Sequence, residues 1–224
     1  MLRRTIKNRY IHRLLISVAD FKNKVIYGWD APVKYQLLYV RAHAITATPA
    51  KKDEKKIESL NVKRYPDVIL PGSWDRSTIN LEDMLEAGGR WERYHKTIQK
   101  VRNGLTWEQV GHKKYFDLKN QERVEKMDAI IYQAQTEGTI PAESEINPGK
   151  QRERGGIGVL ISSRGELLKG SEGFNRLGVA HGAGIEVVPV CVLAVHPDAI
   201  RNGYWRELQQ ESRKFAAKYH SSSE

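Results

Sequence analysis

The chain has 224 residues, enough for one large domain or a small domain with an appendage, and 40% apolar with 29% charged residues is a globular composition. No run approaches the roughly 18 consecutive apolar residues of a membrane span. The single cysteine, Cys191, excludes a disulfide framework and a cysteine-based zinc cluster, and is compatible with the reducing cytoplasm where we expect the chain to work. Lys and Arg number 37 against 27 Asp and Glu, a net charge of +10 that favours nucleic acid, nucleotide phosphates or an anionic membrane surface as partner.

Residues 1–24 concentrate that charge: Arg3, Arg4, Lys7, Arg9, Arg13, Lys22 and Lys24 stand against Asp20 alone. Ile11, Leu14, Leu15 and Val18 fall at helical spacing with arginines opposite, the pattern of an ordinary surface helix packed on the body, of a transit peptide, or of a helix lying on a membrane. After it, residues 25–28 and 33–40 read as extended segments joined by the turn residues 28–32. Residues 49–58 are charged and lack an apolar stripe, so they read as a linker. This divides the chain into a basic N-terminal segment at 1–59 (helix plus short strands), a main domain at 60–197, and a C-terminal helix and tail at 198–224.

Within the main part, residues 67–70 form a short strand before Pro71-Gly72. Asn80 caps a helix over 81–87, and Trp91, Tyr94, Ile98 and Val101 mark the apolar face of another, stopped by Gly104. Thr106 and Gln109 form a capping box. Residues 120–137 form a strong helix through Val124, Met127, Ile130, Ile131 and Ala134, followed by an acidic loop at 139–154. The last third alternates: strand 158–161, a turn, hairpin partner 166–169, helix 172–183, strand 186–195, and an amphipathic helix carrying Trp205, Leu208, Phe215 and Tyr219. Helices around a small mixed sheet make the fold α+β.

Several chemistries fall away. Gly155-Gly156-Ile157-Gly158 precedes a strand instead of following one, so the dinucleotide fingerprint fails on context. There is no phosphate-binding GxxxxGK[ST] loop and no GxSxG elbow, and the seven histidines do not pair at metal-ligand spacing. Cys191 lies in an apolar strand and reads as an inert, buried thiol. What survives is 165–195, where a hairpin strand and a glycine-containing turn lead into a helix with Glu172, Gly173, Asn175 and Arg176 at its start. Glycine lets backbone N–H groups approach an anion there, and arginine offers a bidentate fork for phosphate or carboxylate. A plain helix start with a surface arginine is the alternative.

This segment resembles the ParB/sulfiredoxin-like superfamily, in which a hairpin precedes a DGxHR- or GERR-type box, a glycine and a VPV-type strand. The matching residues are Glu172-Gly173-Phe174-Asn175-Arg176, Gly184-Ile185 and Val188-Pro189-Val190. Residues 66–196 more narrowly resemble a prokaryotic and viral ParB-like group with a GxWD box (Gly72-Ser73-Trp74-Asp75) and a tryptophan-bearing helix (Gly89-Arg90-Trp91-Glu92). Phe174 replaces the sulfiredoxin cysteine, which removes sulfinic-acid reduction. Phe174, Asn175 and Gly178 depart from the GERRxR pattern of the CTP-dependent clamps, and Asn175 replaces a histidine of the superfamily's serine kinases.

The resemblance implies a site for ATP or another nucleoside triphosphate with Mg²⁺, used in phosphoryl transfer or hydrolysis on a small molecule. Arg176 and the Gly173 backbone would hold phosphate, and Asn175 would orient it. Asp75 and Glu172 would act as base or Mg²⁺ ligands. Taken by itself, Asp75 also suits a turn. Trp74 and Trp91 read as core or cleft-wall residues. The alternatives are a DNA- or RNA-associated protein binding through residues 1–24, and a non-catalytic adaptor of the same fold.

Overall fold

In the computed structural model the described residues are 9–49, 66–84, 89–107, 109–110, 121–149 and 152–221. Among them, six strands form one mixed sheet accompanied by seven α-helices, an α+β fold as the sequence predicts. The helices are α1 (Arg9–Tyr27), α2 (Gly89–Asn103), α3 (Gln121–Glu137), α4 (Glu143–Ile146), α5 (Phe174–Ala183), α6 (Pro197–Arg201) and α7 (Tyr204–Ser221). The strands are β1 (Leu37–Arg41), β2 (Ala47–Pro49), β3 (Thr78–Asn80), β4 (Ile157–Ile161), β5 (Leu167–Lys169) and β6 (Val187–Val195), in spatial order β1-β6-β4-β5-β2-β3. The fully buried strands β4 and β6 run parallel at the centre, and β1 and β5 flank them antiparallel. A strand buried on both faces carries continuous apolar residues, which is why β6, from Val187 to Val195, is unbroken by any charge.

β1 and β2 come from the stretch before residue 59 yet belong to this same sheet, with Leu38 opposite Val190 and Ala47 opposite Leu168. The proposed linker at 49–58 lies outside the described residues except for Pro49, which ends β2. Residues 25–27, read as extended, are the last turn of α1. The sequence reading also misses β2 and β3, each only three residues long.

One face of the sheet carries α2, α3 and α5. Val188, Val190 and Val192 of β6 and Val159 and Ile161 of β4 join Leu177 and Ala180 of α5, Met127, Ile130, Ile131 and Ala134 of α3, and Val101 of α2 in one core. Gly178 and Gly182, one turn apart on α5, let α2 approach closely. A Cβ on Gly178 would lie 2.9 Å from both the Thr97 side chain and the Tyr94 carbonyl, and one on Gly182 would lie 2.7 Å from Val101. The opposite face buries Ile16 of α1 with Tyr35, Leu160, Leu168, Cys191 and Leu193. At the sheet edge, Tyr39 of β1 and Tyr219 of α7 pack ring to ring.

The orientation of α1 reverses the ordinary surface-helix expectation. Ile11, Leu14, Val18, Phe21 and Val25 face outward, whereas His12, Asp20 and Asn23 are buried with Ile16 and Ala19. Polar groups beneath the helix explain this. Asp20 accepts from the Lys34 amide at 3.0 Å and pairs with Arg152 at 2.7 Å, while Asn23 donates to Asp67 at 2.8 Å. Turning the aliphatic face inward would leave these buried groups unsatisfied.

Candidate functional site

The box at 172–176 lies at the N-terminal end of β4, where α5 begins. Gly173, at φ +72°, is the left-handed residue that turns the chain into α5. A Cβ there would sit 2.5 Å from the Gly156 carbonyl and 2.6 Å from Ile157 Cα, so the turn is pressed against the backbone entering β4 and only glycine fits. Phe174 is buried in the core over Lys169, whose Nζ lies 4.1 Å from the ring centroid. Asn175 is half-buried in the first turn.

Arg176 points away from that turn. The residue is 6% exposed, and its guanidinium donates to the Pro141 carbonyl at 2.6 Å and pairs with Glu143 at 3.0 Å. Burial pulls its pKa down, and Glu143 and then Glu153 oppose that shift. Glu143 also accepts from Asn147. Glu153, fully buried, accepts from the Glu143 amide at 2.6 Å and from both the amide and hydroxyl of Ser144. The acidic loop of the sequence is therefore turned inward: Glu143 and Glu153 knit the start of α4 to the box arginine and to the strand entry.

Lys169 supplies a second cation beneath the box. It is fully buried and donates to the carbonyls of Gly158, Gly170 and Glu172. Such a cage neutralises the ammonium with backbone dipoles and ties β5 to the start of α5.

Asp75 sits elsewhere. Its Oδ2 accepts from the Ser163 amide at 2.6 Å, in the turn that follows β4. Glu172 lies beside Gly158, near the strand's other end. Asp75 is thus anchored past one end of β4 and the Glu172 Cβ beside the other, the strand's four residue rises spanning about 13 Å. Burial opposes charge on Asp75, but the hydrogen bonds from Ser163, reinforced by nearby His196, prevail and hold it below the usual carboxylate range. It behaves as an ionised turn lock. The adjacent His196 gives no Ser-His-Asp relay, because its Nδ1 accepts from the Asp198 amide and its Nε2 faces the Gly72 carbonyl. Trp74 is core, with its indole N–H on the Leu70 carbonyl, and the Trp91 side chain lies outside the described residues.

A nucleoside triphosphate with Mg²⁺ needs an available cation and a carboxylate within reach of the same phosphate. The residues expected to provide them do not fit together that way: Arg176 is bound to Glu143, and Asp75 is a strand length from Gly173. No group of three or more His, Cys, Asp or Glu suited to a metal occurs among the described residues.

The sequence reading overlooked Lys34, which is fully buried under α1. Its Nζ donates to the Leu193 carbonyl at 2.6 Å, and burial lowers its pKa to about 8. Beside it, Tyr35 adopts φ +60°, held by its amide on Val192 O and by its own carbonyl, which accepts from Glu153. Cys191, also fully buried, has its thiol pushed well up by the same desolvation, consistent with an inert side chain. A lysine interrupting the apolar run 31–40 was the one available signal.

Comparisons with protein-family models, curated proteins and solved structures give no match, so the likeness to ParB-like proteins rests on the motifs alone.

Proposed function

We propose that the chain is a non-catalytic binding protein of the ParB/sulfiredoxin-like type, which meets a phosphate-bearing polyanion through its basic N-terminal segment. The observation that carries this reading is the engagement of Arg176 by Glu143 and Pro141, which makes the box a structural joint. The net charge of +10 and the basic residues before position 25 support the choice of an anionic partner. Among the described residues no helix is long and apolar enough to cross a membrane, so contact with a lipid surface would be peripheral.

Calorimetric titration of ATP·Mg²⁺, CTP·Mg²⁺, a short DNA duplex and anionic lipid vesicles tests the reading. It predicts no nucleotide binding, and salt-sensitive binding to a polyanion that survives Arg176→Lys. Nucleotide binding abolished by Arg176→Lys would overturn it.

A second reading, a nucleotide-phosphate site used for phosphoryl transfer, is favoured by the Gly173 turn and by Asn175 in the first turn of α5, where no side chain caps the helix. ATP·Mg²⁺ binding lost in Asn175→Ala, with unchanged thermal stability, would support it.

A further inference from the structure

The outward face of α1 is the most apolar surface feature of the described chain. Ile11, Leu14, Val18, Phe21 and Val25 follow one another at spacings of 3, 4, 3 and 4 and are all exposed, Leu14 to 64% and Phe21 to 66%. Tyr10 and Ile26 widen the stripe, and Trp29, 84% exposed, continues it past the helix end. Together these side chains expose on the order of 1,000 Å², against roughly 300–600 Å² for the largest apolar patch of a typical monomer. Lys22 lies within the stripe, paired with Asp67 at 3.0 Å; Arg13, whose guanidinium reaches the Gly149 carbonyl at 3.4 Å, and Lys24 border it. The acidic residue of the helix, Asp20, is buried and paired with Arg152.

We propose that this face of α1 docks in the plane of an anionic lipid bilayer, with the stripe entering the headgroup–acyl boundary and the flanking cations on lipid phosphates. The inference rests on the polyanion reading above and names its partner. Charge decides between possible occupants. A second copy would satisfy the heptad-like spacing, but it would bring together two basic helices whose own carboxylate, Asp20, is buried on Arg152. A nucleic acid would match the cations and leave the aliphatic stripe in water. An anionic bilayer takes both, and exposed aromatics beside Lys and Arg are the composition of helices that lie in that interface. The polar face that such a helix turns to water is here turned to the protein, which fixes the stripe outward and spares the cost of folding the helix on contact.

The full chain is tested by flotation with vesicles of three parts phosphatidylcholine to one part phosphatidylglycerol, against pure phosphatidylcholine. The wild type binds the anionic vesicles at least ten-fold more tightly. Leu14→Gln/Phe21→Gln abolishes that binding while the melting temperature stays unchanged. Arg13→Gln/Lys24→Gln weakens it roughly 10- to 30-fold, about five-fold for each cation near the surface.

Absence of wild-type binding to anionic vesicles overturns the proposal. So does a concentration-dependent dimer in sedimentation that disappears in the Leu14/Phe21 variant, which would assign the stripe to a second copy. Salt-sensitive binding to duplex DNA with no vesicle binding overturns the bilayer and leaves the polyanion reading standing; binding to neither defeats both.

Discussion

Lys34 offers the sharpest test at the scale of single residues. Its folded-state pKa of about 8 lies below its unfolded value of 10.5, so between those limits the unfolded chain holds more protons and stability rises with pH. Relative to a Lys34→Met variant, the wild type should gain about 3 kcal/mol between pH 7 and pH 10.5 in urea denaturation. A difference that stays flat with pH would show that Lys34 is not buried as described. His181 gives a second case at acidic pH. Its Nδ1 lies 2.6 Å from the Tyr94 hydroxyl and its Nε2 3.0 Å from the Ala42 carbonyl, and burial lowers its pKa below 6.5. The neutral ring is the bound form, so the wild type should lose stability as pH falls below 6.5, and His181→Gln should shed much of that dependence in the same measurement. Beyond the break that Lys34 makes in an apolar run, neither residue announces itself in the sequence, because burial of a lone lysine or histidine is decided by which tertiary groups surround it.

At the scale of elements, the long periodic segments were legible. The helix predicted over 120–137 stands as α3 from Gln121, the strand predicted over 186–195 stands as β6 from Val187, and the capping box of Thr106 and Gln109 has both reciprocal hydrogen bonds formed at 2.7 and 3.3 Å. The helix predicted after Asn80 is, in its described part, a single 3₁₀ turn over Glu82–Met84, led by an Asn80 side chain that accepts from the Glu82 amide. Where the sequence reading saw a departure at Gly178, the structure finds the crossing point of α2 and α5. A leucine at Gly178 must displace Thr97 and the Tyr94 backbone, and should cost about 1–3 kcal/mol in chemical denaturation; an unchanged midpoint would mean the helices do not meet there. α1 was found as a helix, but its facing was not, since apolar periodicity locates a stripe without saying whether the body or something else covers it.

For the whole molecule, the sheet unites strands from both ends of the chain, and the box works as the joint between its central strand and the inward-turned acidic loop. Spacing revealed the box, but it could not reveal that Glu143, 33 residues before Arg176, is the arginine's partner, or that β4 keeps Asp75 away from Glu172. The outward stripe of α1 contributes nothing to this joint, and Leu14→Gln/Phe21→Gln should leave unfolding free energy within about 0.5 kcal/mol of wild type. The claim that the box is scaffold is tested most directly by a double-mutant cycle on Arg176→Met and Glu143→Leu, read by urea denaturation. Breaking a buried pair from one side strands a charge and should cost about 3–5 kcal/mol in each single variant, whereas the double variant should recover most of that loss. Single variants as stable as the wild type, with additive effects and lost nucleotide binding in Arg176→Met, would contradict the account and return Arg176 to a phosphate site.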